Sequence, residues 1–395
     1  MGGLVLAQVS TQLTFLSYGT TARAARLHGA GRDDDAVGEG VSATWLAFGL
    51  GALIIAVMQL LCVPILALIG GGGDITAEAV RWFRVAVLGV PFILVSMAGN
   101  GWMRGLQDTV RPLRYVVFGL GLSAVLCPLL VHGLLGFPYL GLVGSAVANV
   151  IGQTVAGALF VVALVRSGVP LRPSWPVMRA QLSLGRDLVL RSLAFQACFL
   201  SAAAVASRFG AASVAANQVV LHLWNLVSLT LDSLAIAAQT LVGAALGRAD
   251  VPGATRLGWR LTAWSTVFAL VLALLLAAGG PILPGLFTTD SSVVEQMQSI
   301  WWIFVAIIPL AGVVFALDGV LLGAGDAAFL RTATLACALV GFLPSIWLAL
   351  AFDWGLRGIW FGLGIFVALR MAAVIGRFVS GRWAIAGADI QRTAG

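Results

Sequence analysis

Lysine is absent from this chain of 395 residues, and all 23 basic residues are Arg. That is a compositional habit and carries no mechanism. Charge of either sign is scarce. Only 10% of residues are charged and 60% are hydrophobic, where soluble domains carry about 25% charged and about 45–50% apolar residues. A mean hydropathy of +1.01 excludes an ordinary soluble domain. Cysteine is limited to Cys62, Cys127, Cys198 and Cys337, far apart in apolar runs. That spacing excludes a zinc module or a disulfide framework, so these read as buried thiols. The glycine run Gly70–Gly73 is not followed by Lys-Ser/Thr, so it is no phosphate loop and an ATP-driven pump is not expected. No nucleophile–base set and no metal spacing stands out, so no enzyme, metal or cofactor is expected. The start of the chain lacks a basic stretch and carries Gln8, Gln12 and Tyr18, which does not read as a cleavable signal.

What is present is a repeat. Gly31-Arg32-Asp33 returns as Gly247-Arg248-Ala249-Asp250. Gly101-Trp102-Met103-Arg104-Gly105 returns as Gly319-Val320-Leu321-Leu322-Gly323, followed in each copy by an aspartate, Asp108 and Asp326. Gly141-Leu142-Val143-Gly144 returns as Gly355-Leu356-Arg357-Gly358. The three offsets lie between 214 and 218 and keep the same order. A duplicated apolar bundle is the usual plan of a secondary transporter, with substrate held between the halves.

A membrane-spanning helix needs roughly 20 mostly apolar residues. Runs of that kind predict eleven spans, near 2–24, 42–69, 80–102, 115–134, 139–165, 186–207, 214–246, 259–283, 297–322, 332–352 and 357–381. The fold class expected is therefore an all-α integral membrane protein of two parallel-repeat helical bundles. An N-terminal lobe would cover 1–165, a linker 166–185, and a C-terminal lobe 186–395. Alternate loops collect 18 of the 23 arginines, including Arg23, Arg26, Arg104, Arg111, Arg186, Arg191, Arg331 and Arg377. The positive-inside rule puts these in the cytoplasm, together with the C-terminus of a multi-pass protein of the cell membrane. This placement accounts for the net charge of +7 without nucleic acid. Subtracting the repeat offset from 186–207 puts its counterpart roughly 10–30 residues before Met1. Five spans against six suggests a twelve-span ancestor whose first helix this chain lacks.

Several stretches resemble the multidrug and toxic compound extrusion (MATE) family, in its DinF-like branch. They are Gly19–Arg26 with Gly29–Asp33, Met103–Thr109, Ala215-Ala216-Asn217-Gln218, Leu231–Gly243 and Leu317–Val320. The resemblance covers essentially the whole chain and is most specific at 231–243. It implies two lobes forming a V, and export of cationic or amphipathic compounds in exchange for H⁺ or Na⁺. It also places a carboxylate at Asp318. The family's fifth helix often reads Asn-x-x-x-Asp-Pro, but this chain reads Ser123-Ala124-Val125-Leu126-Cys127-Pro128. With the first helix also lacking, the first-lobe acids usually invoked for coupling are missing. Coupling has then moved to the second lobe, or the product is impaired.

Acids inside spans are costly and mark function. Two qualify as ion-coupling residues, Asp232 and Asp318, although Asp318, near the cytoplasmic end of its span, reads equally as a helix-end acid salt-bridged to a loop Arg. At 100° per residue, Gln218, Asn225, Ser228, Asp232 and Gln239 fall within about 40° of one line, a polar stripe on an apolar helix. Such a stripe either lines a cavity or glues helices by hydrogen bonds. Arg370, deep in the last span, either pairs with an acid across the lobe or snorkels to the surface. Asn100 is the repeat counterpart of Asp318. Gln8, Thr11 and Gln12 are positioned to line a cavity from the first lobe, with Asn149 and Gln153 as weaker candidates. His222, Trp224, Phe195, Phe315 and Trp347 read mainly as packing. Asp108 and Asp326 read as turn or capping residues. The expected partners are small organic cations, amphipathic drugs and membrane lipid, and the expected state is a monomer. A lipid-precursor flippase would want a strongly basic cavity, for which only Arg370 is available. A truncated, non-transporting product is the remaining alternative.

Overall fold

The computed structural model describes residues 13–70 and 74–388. Among them no strand occurs. The helices are α1 Phe15–Gly29, α2 Asp33–Gly70, α3 Asp74–Ala86, α4 Val90–Gly105, α5 Val110–His132, α6 Leu142–Arg166, α7 Trp175–Ala206, α8 Ala211–Gly247, α9 Val251–Gly279, α10 Leu283–Phe287, α11 Ser291–Gly323, α12 Ala327–Cys337, α13 Leu343–Ala351 and α14 Gly355–Val379. Joined across short 3₁₀ and π segments, they give ten stretches long and apolar enough to cross a membrane. These ten correspond to the ten spans expected after the first. Of expected span 2–24, residues 2–12 lie outside the described residues, and 15–24 form the first part of α1.

All-helical structure follows from the solvent. In hydrocarbon each backbone N–H and C=O needs an internal partner, and a helix supplies them within one segment. Proline marks the irregularities. Pro91 stands beside the 3₁₀ turn Val87–Gly89 that separates α3 from α4. Pro344 is the second residue of α13, just beyond a π segment, Ala338–Phe342, that joins α12 to α13.

The chain separates into two compact units, Met1–Gly185 and Arg186–Gly395. The repeat is visible in the backbone of each. After α1 the N–H of Arg32 reaches the carbonyl of Leu27, and after α4 that of Asp108 reaches Met103. In the second unit, Asp250 reaches Ala245 after α8, and Asp326 reaches Leu321 after α11. Each is the six-to-one bond of a Schellman cap. The left-handed residue of each cap is Gly31, Gln107, Ala249 or Gly325. The repeated glycines are helical rather than in loops. A Cβ on Gly101 or Gly105 would meet Thr20 or Ala24 of α1. One on Gly319 or Gly323 would meet the carbonyls of Ala235 or Gln239 of α8. The two Gly-x-x-x-Gly pairs therefore seat α4 on α1 and α11 on α8 by the close backbone approach that small residues allow.

The linker differs from expectation. It is helical from Trp175, so only 167–174 of the expected 166–185 connection is not helix. Arg191, expected in a cytoplasmic loop, lies well inside α7. Its surroundings explain why an arginine is tolerated there.

Candidate functional site

The second unit holds a buried ionic cluster built from three helices. Asp318 comes near the end of α11, Arg191 from α7 and Arg370 from α14. Arg191 Nη2 donates to Asp318 Oδ2 at 2.5 Å, and Arg370 Nη2 donates to the same oxygen at 2.6 Å. Asp318 and Arg370 are each 5% exposed. Asp318 Oδ1 is enclosed and has no hydrogen-bond partner. One turn along α7 from Arg191, Phe195 turns its ring to both guanidiniums, at 5.8 Å from Arg191 and 4.9 Å from Arg370. Phe366, one turn before Arg370, adds a second ring at 5.9 Å. A buried charge needs a partner and hydrogen bonds to be tolerated. Here each charge has an opposite neighbour, and the guanidinium faces rest on aromatic rings.

Arg370 thus pairs with an acid of its own unit instead of snorkelling. Asp318 is salt-bridged to arginine, one of its two readings, and the arginines are Arg191 and Arg370 of two other helices. Arg191 is the member that sequence reasoning missed. One turn before it on α7, Asp187 is itself shared, by Arg331 at 2.6 Å and Arg186 at 3.1 Å.

The polar stripe lies along one unbroken helix, α8. Its residues flank a buried seam of Asn217, Trp224, Leu231 and Ala238. Burial changes along its length: Gln218 and Asn225 are exposed, Ser228 and Asp232 half-buried, and Gln239 buried. Ser228 Oγ is enclosed without a hydrogen-bond partner. Next to the stripe, buried Asn217 accepts a hydrogen bond from the Trp360 indole at 3.1 Å. Asn217 carried the resemblance but was not read as a structural contact. Exposed His222 and buried Trp224 stand beside the stripe on α8.

The first unit has a cavity of about 170 Å³ between α4, α5 and α6. Asn100 and Gln153 line it with Ser96, and Ile93, Met97 and Leu120 make its walls apolar. Asn100 Nδ2 donates to the Ser96 carbonyl at 2.9 Å. The Ser96 hydroxyl is buried without a partner. Asn149 is half-buried and does not line this cavity. Gln8, Thr11 and Gln12 lie outside the described residues.

A second ion pair missed by sequence reasoning holds the first unit together. Arg23 of α1 grips the Glu39 carboxylate of α2 with bonds of 2.6–2.9 Å. Gln181, on the part of α7 that belongs to this unit, donates to the same carboxylate at 2.8 Å and to the Glu39 carbonyl at 3.0 Å. The two loop aspartates differ. Asp108 accepts from the backbone N–H groups of Val110 and Arg111, as a capping residue does. Asp326 makes no cap bond and pairs with Arg377 at 2.7 Å.

Among the described residues no group of three or more His, Cys, Asp or Glu is placed to hold a metal ion. Within the second unit, a carboxylate and two guanidiniums are held inside spans; within the first, amides line a small cavity.

The family model MatE matches residues 5–129 and 188–347. The chain belongs to the MatE family. It is 30% identical over 387 residues to DNA damage-inducible protein F of Escherichia coli (strain K12), covering 94% of this chain and 82% of that protein. It is 27% identical over 399 residues to a probable multidrug resistance protein NorM of Thermotoga maritima, covering 95% of this chain and 82% of that protein. It is 34% identical over 298 residues to Protein DETOXIFICATION 44, chloroplastic, of Arabidopsis thaliana, where it spans only 56% of the plant protein. A solved MOP superfamily transporter from Pyrococcus furiosus superposes with a TM-score of 0.84 at 23% identity, over 97% of this chain and 86% of that one. An outward-facing multidrug resistance MATE family transporter superposes with the same TM-score of 0.84, at 23% identity over 97% of this chain and 87% of that one. At that identity the likeness shows the shared fold. This MatE chain is therefore a multi-pass, all-α membrane protein whose relatives include a probable multidrug resistance protein.

Proposed function

We propose that the chain is a secondary antiporter of the cell membrane that exports organic cations or amphipathic drugs in exchange for H⁺ or Na⁺ by alternating access. The observation that carries this reading is Asp232, a carboxylate held half-buried mid-way along a 37-residue apolar helix. A carboxylate there costs about 2.5–3.5 kcal/mol on the insertion scale and persists where it works. Drug and coupling ion compete for it along the stripe of Gln218, Asn225, Ser228 and Gln239. Uptake of H⁺ or Na⁺ neutralises the acid, and the state that binds drug poorly is then favoured. Asp318 is the second ion-linked acid, with a smaller effect because two guanidiniums already share it. Asn100 contributes a polar group to the neutral cavity of the first unit, and Gln8 and Gln12 are assigned to the same task. The working unit is a monomer with its C-terminal tail in the cytoplasm.

The test is dye efflux from everted membrane vesicles carrying this chain. Efflux is expected to need an imposed proton or sodium gradient and to persist without ATP. Gradient-independent dye movement, or none above empty vesicles, would sink the antiport reading.

A further inference from the structure

The second unit has an open cavity of about 520 Å³ at the starts of α11 and α14. Glu295, Gln298 and Ser299 of α11 line one side. Asp353, Trp354 and Arg357, where α13 gives way to α14, line the other. Among the described residues, none of the three charged side chains, Glu295, Asp353 and Arg357, enters an ion pair. Charges of both signs therefore share one hollow and leave each other unmatched. A single ligand that matches them carries both charges itself. A guanidinium fork fits the oxygens of a carboxylate or phosphate. An ammonium group has three donors to offer the two carboxylates. The cavity stands at span ends, since α11 begins at Ser291 and α14 at Gly355. Phe352 and Trp354, both exposed, stack there with ring centroids 5.6 Å apart. Exposed aromatic rings at span ends sit at the headgroup level of a bilayer. One turn deeper, the polar lining gives way to apolar surface. Trp302, four residues beyond Gln298, is 67% exposed, and Phe361, four residues beyond Arg357, is 57% exposed. Residues four apart share a helix face, so each polar wall continues as a lipid-facing one. A small soluble zwitterion would use the upper level alone, whereas a lipid uses both.

We infer that this cavity is a binding site for a zwitterionic aminophospholipid of the phosphatidylethanolamine type. The phosphate lies on Arg357, the primary ammonium lies between Glu295 and Asp353, and an acyl chain runs over Trp302 and Phe361. The lipid joins the ends of α11 and α14, the helices that carry Asp318 and Arg370. None of the site's residues belongs to the polar stripe of α8, and the inference does not depend on what the chain exports.

The purified full chain in detergent is offered an equimolar mixture of dioleoyl phosphatidylethanolamine, phosphatidylcholine and phosphatidylglycerol. Native mass spectrometry counts the lipid retained. The choline lipid keeps both charges but has no N–H donors on its cation, and the glycerol lipid has no cation. The ethanolamine lipid is expected to be retained about five-fold over the choline lipid, with the glycerol lipid lowest, because hydrogen bonds to charged groups are the strong ones. The double variant Glu295→Gln/Asp353→Asn should lose the ethanolamine preference. Arg357→Gln should lower retention of all three lipids about five-fold, since each carries the phosphate. Free glycerophosphoethanolamine, the headgroup without chains, should displace none of the bound lipid even in excess. A melting curve for each variant checks folding. Where a variant does not fold, the lipid series and the free headgroup on the unmutated chain decide alone. Equal retention of the ethanolamine and choline lipids, or a folded double variant that keeps the preference, overturns the inference. Displacement by the free headgroup also overturns it and gives the cavity to a soluble zwitterion.

Discussion

A Cβ placed on Gly319 would come within 2.1 Å of the Ala235 carbonyl oxygen. α11 and α8 are therefore in backbone contact, and α8 is the helix that carries Asp232. No side chain can yield there, because the obstructing atom is backbone. Gly319→Ala should destabilise the second unit by roughly 1–3 kcal/mol, the usual cost of overpacking a tight interface. Gly49 of α2 has nothing within 4 Å of its Cβ position. Gly49→Ala should therefore be neutral or slightly stabilising, since alanine is the better helix former. Melting temperatures in detergent separate the two. Equal melting of both variants would refute the contact.

Glu39 is 2% exposed, and Arg23 and Gln181 both serve it. Removing one partner from a buried pair costs about 3–5 kcal/mol, because the other charge is left stranded. Arg23→Ala should therefore destabilise strongly. The double variant Arg23→Ala/Glu39→Ala should lose less than the sum of the two single changes. A double-mutant cycle on melting curves measures this, and additive losses would show that the two groups act independently.

These pairs mark the limit of what the sequence discloses. The spans were legible because hydrocarbon demands runs of apolar residues, and ten such runs reappear as helices. The glycine repeat was legible as a repeat, but its role in packing α4 on α1 and α11 on α8 was not. Spacing records no partner on another helix. Arg370 could be singled out by its depth, yet Asp318 lies 52 residues from it and Arg191 lies 127 residues from Asp318, with no periodicity linking them. Arg191 was assigned to a loop because polar residues at 179–187 disguise the first turns of α7. Gln181 was passed over because a lone amide there looks like linker. It becomes meaningful only when Glu39, 142 residues away, is brought to it.

Asp108 offers a pH test outside the spans. Burial pushes its carboxyl up, but the backbone N–H and the guanidinium of Arg111 outweigh this, with help from the Val110 N–H, and hold it below its ordinary value of 3.8. A carboxylate with a lowered folded-state value stabilises the fold above its unfolded value and loses that contribution as pH falls. The turn before α5 should stay protected above 3.8 and loosen as pH drops below it toward the folded value. Asp108→Asn should show faster exchange of the Val110 and Arg111 amides already at neutral pH. Amide hydrogen exchange reads both effects. Unchanged exchange in the variant would remove Asp108 from the cap.

The coupling assignment rests on a contrast between two acids in one unit. Asp318 has its charge matched by Arg191 and Arg370 and one oxygen buried. Asp232 is half-buried on the flank of α8, within the run of Gln218, Asn225, Ser228 and Gln239. A coupling ion must enter and leave, so the acid it binds has to be reachable in at least one state. That favours Asp232. Asp232→Asn keeps the size and part of the hydrogen bonding but removes the charge. It should abolish gradient-driven dye efflux while the protein still melts cooperatively near the unmutated temperature. Asp318→Asn should reduce efflux by a smaller factor and lower the melting temperature, because it leaves two guanidiniums in the span without a counter-charge. Dye efflux in a pump-deficient host, read with melting curves of the same purified variants, decides between the two. Full efflux by Asp232→Asn together with none by Asp318→Asn would transfer the coupling role from α8 to the arginine-bound acid of α11.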